Sequence, residues 1–243
     1  MSRRLRTGLF LVGGAGLWAL LGWAFAGLPA FGDYHGVYGR LLNRDALGQT
    51  HAMSAIAAVT FDYRGFDTLG EDFILFASVL GVALLLRQVR ERDVDARQAV
   101  EESEPVRAVG AIAVPAFFLL GLFVIAHGYL TPGGGFQGGV VVGLALVLVS
   151  IATDYRSYAR LVHKSLADLV EGVGAGAYVA VGVGGLVAGS AFLESFVSRG
   201  KIGELTSSGT IALLSWASGL EVAGATLLLA SEFLEELLAR RRR

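Results

Sequence analysis

Five ionisable residues lie within one twelve-residue segment, 61–72, directly before a long apolar stretch: Asp62, Arg64, Asp67, Glu71 and Asp72. If a helix begins near Asp67, then Asp67 and Glu71 are four residues apart and share one helix face. Two neighbouring carboxylates repel each other and can hold a proton or a cation between them. The segment therefore predicts an ion or proton relay at the end of a helix.

A structural role explains the same segment equally well. Acidic side chains in the first turn of a helix complement its dipole. Thr68 with Glu71 also fits a capping box in which Thr68 is the N-cap. Both roles stay open from sequence, since capping and relay do not exclude each other.

A second segment, 131–139, is unusually rich in glycine and lies between two apolar stretches. Its backbone amides could form a cradle for an ion, and Gln137 is the polar side chain that could line a path. The glycine spacing resembles a dinucleotide fingerprint, but an apolar helix precedes it where a strand is needed. Gly135, Gly139 and Gly143 are four residues apart, which favours a helix-packing face, against this chain or a partner protein.

Glu221 lies near the middle of the last apolar stretch, between Leu220 and Val222. A carboxylate at that depth is strongly unfavourable unless it faces a polar interior, so we expect a functional role. Glu232 lies three helical turns further on the same face and could extend a path, or it could pair with the C-terminal arginines.

His127, near the end of the third apolar stretch, could relay protons, but a hydrogen bond to a backbone carbonyl is the simpler expectation.

The composition excludes several function classes. Of 243 residues, 54% are hydrophobic and 34 are glycine, which indicates an integral membrane protein with closely packed helices. With no cysteine and four scattered histidines, the sequence predicts no metal site and no cofactor. We find no catalytic triad, nucleotide cradle or nucleic-acid-binding pattern, and we expect no catalysis by this chain alone.

A membrane-crossing helix needs about 20 apolar residues, and six stretches qualify. They are Leu5 to Leu28, Leu69 to Val89, Val109 to Leu130, Phe136 to Thr153, Leu166 to Phe192 and Thr210 to Leu234. The stretch Met53 to Phe61 is too short to cross. We therefore predict an all-α polytopic membrane protein with about six transmembrane helices.

The positive charges predict its orientation, because short cytoplasmic loops collect Lys and Arg. With six spans and both termini in the cytoplasm, fifteen of the twenty Lys and Arg lie on the cytoplasmic side. This orientation puts the segment Pro29 to Thr68 on the outer side, as an interfacial or re-entrant piece. We expect the protein to be a multi-pass protein of the cell (inner) membrane. The polar loop Glu91 to Pro105 separates two spans from four, with no repeat between them, so an autonomous transporter is not expected.

The acidic segment and the glycine-rich segment both resemble parts of one family of membrane complexes. Residues 61–71 resemble a segment near the end of the large A subunit of Mrp-type (Mnh) multisubunit sodium/proton antiporters, equivalent to the E subunit of membrane-bound hydrogenases. Residues 131–139 are similar to the signature of the MnhB (MrpB) subunit. The resemblance implies a fusion with a two-helix unit at 1–95, a cytoplasmic linker at 96–107 and an MnhB-like four-helix unit at 108–243.

This resemblance implies a non-autonomous subunit of a cation (Na+)/proton antiporter related to the membrane arm of complex I. The implied partners are large antiporter-like subunits, small C, E, F and G-type subunits, Na+, H+ and the lipid bilayer. The same subunit could instead serve a redox-driven, hydrogenase-like complex, or act as a structural helix spacer. Relay candidates are Asp67, Glu71, Glu221, Asp62, Arg64, Glu232 and His127; motif and assembly candidates are Pro132, Gly133, Gly134, Gly135, Phe136, Gln137, Gly138 and Gly139.

Overall fold

The chain is all-α in the computed structural model, which describes residues 3–28, 36–90, 103–153 and 155–240. The helices are α1 (Arg3–Ala26), α2 (Val37–Thr50), α3 (Ala55–Ala58), α4 (Gly65–Arg90), α5 (Glu104–His127), α6 (Gly135–Ala152), α7 (Tyr155–Leu161), α8 (Lys164–Val187) and α9 (Thr210–Arg240). A π-helical turn, Val59–Tyr63, joins α3 to α4. No strand occurs within these described ranges, so the predicted fold class is confirmed.

Six of the described helices are long and apolar enough to cross a membrane, which confirms the predicted number of spans: α1, α4, α5, α6, α8 and α9. The membrane side on which each terminus lies remains a prediction. Met53 to Phe61 does not form a span, because its residues are divided between a turn, the one-turn helix α3 and the π-helical turn.

The chain divides into two compact units, Met1–Arg40 and Leu41–Arg243. In the first, α1 has 24 residues and is therefore about 36 Å long, enough to cross a hydrocarbon core of about 30 Å. The predicted division into 1–95, 96–107 and 108–243 stays a prediction. Residues 91–102 lie outside the described residues, and they include the part 96–102 of the predicted linker; α5 already begins at Glu104.

Within the second unit α9 is the central helix. Of its most apolar stretch, 72% is buried, against 39% for α6 and 11% for α4. Helices α4, α5, α6 and α8 all pack against α9. Because it is surrounded by helices of the same chain, polar groups on α9 face protein rather than lipid.

Local sequence explains how the surrounding helices begin and continue. Ser103 has extended backbone angles and Pro105 lies in the first turn of α5, where a missing N–H carries no penalty. Pro115 lies inside α5, a position that membrane helices tolerate when neighbouring groups satisfy the freed carbonyl. At α6, Gly134 precedes the helix with φ +157°, a backbone angle that side chains disfavour.

Short segments cover one end of this bundle, which we call the π-turn end because the turn Val59–Tyr63 lies there. His51 Nδ1 lies 2.8 Å from the Gly200 carbonyl oxygen, and the Ser208 hydroxyl donates to the His51 carbonyl at 3.1 Å. The Tyr129 hydroxyl donates to the Leu205 carbonyl at 2.5 Å. These contacts join the chain before α4, the turn after α5 and the loop between α8 and α9.

Candidate functional site: a cavity and a buried row of carboxyl groups

The π-helical turn positions the first acidic segment. The Arg64 N–H donates to the Val59 carbonyl, five residues earlier, at 2.8 Å. The Thr68 hydroxyl donates to the Thr60 carbonyl at 2.7 Å, which satisfies a group that the wider turn frees. Because α4 begins at Gly65, Thr68 lies inside the helix and the expected N-cap role is wrong. Single π-turns of this kind occur often at functional sites.

The conspicuous charges of this segment lie at the surface. Arg64 and Asp67 form an ion pair, with Nε 2.6 Å from the carboxylate, and both side chains are at least half exposed. Asp62 is partly buried, and this burial raises its pKa, while Arg199 opposes that effect and Glu194 adds to it. Asp67 therefore has a cationic partner on its own segment, whereas Glu71 turns towards a cavity.

This cavity, of about 170 Å³, brings the two sequence segments together. The chain around the π-helical turn and α4 contributes Ile56, Thr60, Phe61, Thr68 and Glu71; the glycine-rich segment contributes Gly133, Gly134, Phe136 and Gln137. The cavity is partly open, because Glu71 and Phe136 remain exposed. The two segments are 60 or more residues apart in sequence, so their meeting is a property of the fold.

Oxygen atoms dominate the polar lining of the cavity. The hydroxyls of Thr60 and Thr68 donate their protons to backbone carbonyls, which leaves the oxygen lone pairs as acceptors. Glu71 adds a carboxylate and Gln137 an amide oxygen. Gly134 makes room for that amide, since a Cβ at this position would lie 2.8 Å from Gln137 Oε1. A set of hard oxygen ligands with one carboxylate suits a monovalent cation.

The glycines of α6 form the packing face that their spacing predicts. A Cβ on Gly135 would lie 2.1 Å from the Ser215 carbonyl oxygen, and one on Gly139 would lie 2.6 Å from the Gly219 oxygen. Gly143 meets Thr226 in the same way, so all three face α9 of this chain. Gly138 instead approaches α5, where a Cβ would lie 2.7 Å from the Gly121 oxygen.

Glu221 is fully buried in the middle of α9, and its carboxyl oxygens have no hydrogen-bond donor apart from the Asp72 carboxyl, which can donate only when it is protonated. Gly174 of α8 lies directly against its backbone, since a Cβ there would be 2.3 Å from the Glu221 nitrogen. The charges that act on Glu221 are those of Asp72 and Glu171, both acidic. The residue therefore keeps its place as a relay candidate.

Two further carboxyl groups share this interior. Asp72 of α4 is 1% exposed; one oxygen accepts a hydrogen bond from Ser218 at 3.2 Å and the other has no partner. Glu171 of α8 is 3% exposed and one of its oxygens has no partner. Gly224 of α9 lies against Glu171 as Gly174 does against Glu221, so α8 and α9 approach closely at both acids.

An ion-pair cluster lies at the opposite end of α9. Lys164 Nζ lies 2.9 Å from Glu232 and 2.8 Å from Glu235, and all three side chains are largely buried. The sequence suggested the C-terminal arginines as partners for these acids, and the structure adds Lys164 at the start of α8. Residues 241–243, which carry three of those arginines, lie outside the described residues.

The remaining candidates have structural partners. His127 Nδ1 lies 3.1 Å from the Phe123 carbonyl oxygen, and the ring stacks on Phe123, as the simpler expectation has it. Pro132 is exposed in the turn between α5 and α6. Gly133 has φ +151°, and a Cβ there would lie 2.9 Å from Val124. Of these three candidates only Gly133 lines the cavity.

Sequence reasoning missed Asp72, Glu171, Ser218 and Lys164. In the sequence Asp72 is only one of five clustered ionisable residues, and Glu171 lies near the start of an apolar stretch, where an acid complements the helix dipole. A signal existed for both: Thr68, Asp72 and Val79 share the buried face of α4, and on α8 a similar face runs through Ala167, Glu171, Gly174, Tyr178 and Gly182. An acid on a face of small residues is expected to lie against another helix.

Comparisons with known proteins give the family. The family described as a domain related to the MnhB subunit of Na+/H+ antiporter matches residues 105–228. An uncharacterized protein of Methanocaldococcus jannaschii is 33% identical over 190 residues, 69% of this chain and 71% of that protein. A probable A/B subunit of a K+/H+ antiporter from Rhizobium meliloti is 29% identical over 60% of this chain, which spans only 16% of that protein.

Two solved structures are similar over nearly the whole chain. One is a chain of the membrane-bound sulfane sulfur reductase, an archaeal respiratory membrane complex, with TM-score 0.75, 30% identity, and coverage of 95% of this chain and 98% of that chain. The other belongs to the Mrp complex of a Dietzia species, with TM-score 0.71 and coverage of 96% and 26%; at 23% identity it shows the fold alone. Because the family match spans half of the chain, the resemblance found in the two sequence segments is confirmed: the chain belongs to the family of domains related to the MnhB subunit of Na+/H+ antiporters.

Proposed function

We propose that this chain is a non-autonomous membrane subunit of a multisubunit complex that exchanges a monovalent cation for protons. The observation that carries the proposal is the cavity in which Glu71 of one segment meets Gln137 of the other. A carboxylate, an amide and two hydroxyls around 170 Å³ provide an entry site for a partly dehydrated cation. The family, described as related to a subunit of Na+/H+ antiporter, supports ion exchange, and both structural neighbours are chains of membrane complexes.

The charge of the cavity supports a monovalent ion. Glu71 is the one carboxylate in its lining, and no group of three or more His, Cys, Asp or Glu that could hold a metal ion occurs in the described part of the chain. A single negative charge balances Na+ or K+, whereas a divalent ion needs more. The comparisons name both Na+ and K+ for relatives, so either ion is a candidate cargo.

Partner subunits complete the proposal. The chain itself performs no catalysis and works in the cell (inner) membrane with large antiporter-like subunits and small subunits of the same complex. The surface supports the need for partners, because α4 and α5 expose many large apolar side chains that lipid or neighbouring subunits can cover. The buried acids, in contrast, are enclosed by helices of this chain.

The test is transport by the purified complex in liposomes. A pH-sensitive dye inside the vesicles reports proton movement when Na+ or K+ is added, and the cation that produces a response is the cargo. We expect Glu71→Gln to reduce this response in an assembled complex, while Asp67→Asn changes it little. A complex that shows no cation-dependent proton movement under any gradient contradicts the proposal.

A second function is favoured by one observation. The sulfane sulfur reductase chain matches 95% of this chain from end to end, whereas the antiporter relative and the Mrp chain are much longer proteins. The same cavity could therefore serve a redox-driven complex. Mass spectrometry of the proteins that co-purify with this chain separates the two: redox subunits with iron–sulfur clusters support the second function, and their absence supports the antiporter.

A further inference from the structure

Three carboxyl groups from three helices lie close together inside the bundle, and none of them is among the residues that line the cavity at Glu71. Asp72 of α4, Glu221 of α9 and Glu171 of α8 are each at most 3% exposed. Four of their six oxygens have no hydrogen bond while the acids are ionised, and the contact between Asp72 and Glu221 becomes a hydrogen bond only when one of the two carries a proton. Buried polar atoms in proteins are nearly always paired, so this cluster calls for a ligand that supplies the missing bonds.

The basic side chains of the described residues do not supply these missing bonds. The charges acting on Glu221 are those of the other two acids, and the charge acting on Glu171 is that of Asp168, which is acidic as well. Lys164, the basic residue at the start of α8, is bound to Glu232 and Glu235. Three ionised carboxylates without a counter-charge are not stable in an apolar interior, and the smallest ligand that neutralises them is the proton.

The acids are arranged along the helix axis. On α9, Ser218 binds Asp72, Glu221 follows three residues later, and Gly224, which touches Glu171, three residues after that. Glu232, bound to Lys164, lies fourteen residues from Ser218, a rise of about 21 Å. This is roughly two thirds of a hydrocarbon core of about 30 Å.

We propose that Asp72, Glu221 and Glu171 form a proton relay inside this chain, separate from the cation-binding cavity. The Glu171 proton leaves first, through water, for the carboxylates of Glu232 and Glu235, which leaves Glu171 ionised. Glu221 then passes its proton to Glu171, Asp72 passes its own to Glu221, and Asp72 is protonated again from the π-turn end. Seven residues, or about 10 Å, separate Glu171 from Lys164 on α8, a distance that water must bridge.

The relay rests on the proposed function for its purpose, since cation exchange needs a proton route, but its chemistry can be tested without transport. Infrared spectra distinguish the C=O stretch of a carboxylic acid from the bands of a carboxylate. We expect the difference between the wild-type complex and Glu221→Gln at neutral pH to show the loss of an acid band that shifts in D2O. Glu171→Gln and Asp72→Asn provide the same measurement if Glu221→Gln fails to assemble.

The contradicting result is a difference spectrum that loses carboxylate bands in all three variants. That outcome means that the acids are ionised, and if the bands change with Na+ or K+ the cluster is a cation site. An acid band that does not exchange in D2O also contradicts a relay, because the proton is then fixed.

Transport then tests the route. We expect Glu221→Gln and Glu171→Gln to lower cation-dependent proton movement at least about tenfold in assembled complexes, and the exposed control Glu204→Gln, in the loop between α8 and α9, to stay within about twofold. Unchanged transport in both buried variants overturns the relay and leaves the antiporter standing. An absence of exchange in the wild type removes the antiporter, and the infrared result still decides the relay.

Discussion

The two acidic regions of this protein differ in what surrounds them. At the π-turn end, Asp67 is half exposed and bound to Arg64. Inside the bundle, Glu221 is fully buried and its polar neighbour is another acid, Asp72. The surface region has the more conspicuous sequence, whereas the interior holds the groups that are least favourable without a ligand. Dense charge in a sequence therefore does not mark the place where charge matters most.

The largest expected effect tests how tightly the interior is built. Gly174→Ala places a Cβ 2.3 Å from the Glu221 nitrogen, a backbone atom that cannot move aside. We expect a loss of about 3 kcal/mol or failure to assemble, measured by thermal unfolding in detergent. Gly172→Ala, two residues away with open space, is the matched control and should be neutral or slightly stabilising. Equal behaviour of both variants would contradict the close approach.

The second prediction compares two ion pairs. Lys164→Met leaves the largely buried Glu232 and Glu235 without this cation, and we expect a loss of about 2–3 kcal/mol. Arg64→Met breaks an exposed pair and should lower stability by about 0.2–1 kcal/mol. Thermal unfolding of the two variants under the same conditions makes the comparison. A larger loss for Arg64→Met would reverse the contrast between surface and interior.

The third prediction sharpens the contrast within the surface segment itself. Glu71 lines the cavity and Asp67 does not. We expect Glu71→Gln to reduce cation-dependent proton movement about tenfold and Asp67→Asn less than about threefold. The apparent cation affinity should fall only in Glu71→Gln. If the Asp67 variant loses affinity instead, the ion pair with Arg64 belongs to the cation site.

The smallest expected effect concerns Asp62. Burial raises its pKa, so the folded state binds the proton more tightly than the unfolded state. The stability that Asp62 contributes is therefore fully present below its pKa in the unfolded chain, and it is lost as pH rises through its pKa in the folded protein. Asp62→Asn should remove this loss. The Tm of the variant minus that of the wild type should therefore be larger at pH 8 than at pH 4, by roughly 1–2 °C. A variant that loses stability at pH 8 would show that Arg199 outweighs burial.

Much of the fold followed from the sequence, because six apolar stretches of sufficient length have few alternatives in a bilayer. The packing role of Gly135, Gly139 and Gly143 also followed from their spacing. The exact beginning of α4 did not, since a π-helical turn depends on side-chain hydrogen bonds such as that from Thr68 to Thr60.

The candidate site was predicted only in part. Glu221 could be found because one acid in an apolar stretch is easily seen, whereas Asp72 stands among other acids and Glu171 near the start of its helix. Whether an acid faces lipid, water or another helix depends on how α4, α8 and α9 turn towards one another. The meeting of Glu71 with Gln137 likewise depends on the tertiary fold, since helix geometry relates only residues close in sequence.

The two reciprocal glycine contacts have a mechanical consequence. Gly174 receives the backbone of Glu221, and Gly224 receives that of Glu171, so each helix carries both a notch and the ridge that fills the other's notch. Sliding either helix by one residue would drive a side chain into the opposing backbone. We therefore expect α8 and α9 to move together as one rigid pair, which keeps the spacing between Glu171 and Glu221 fixed.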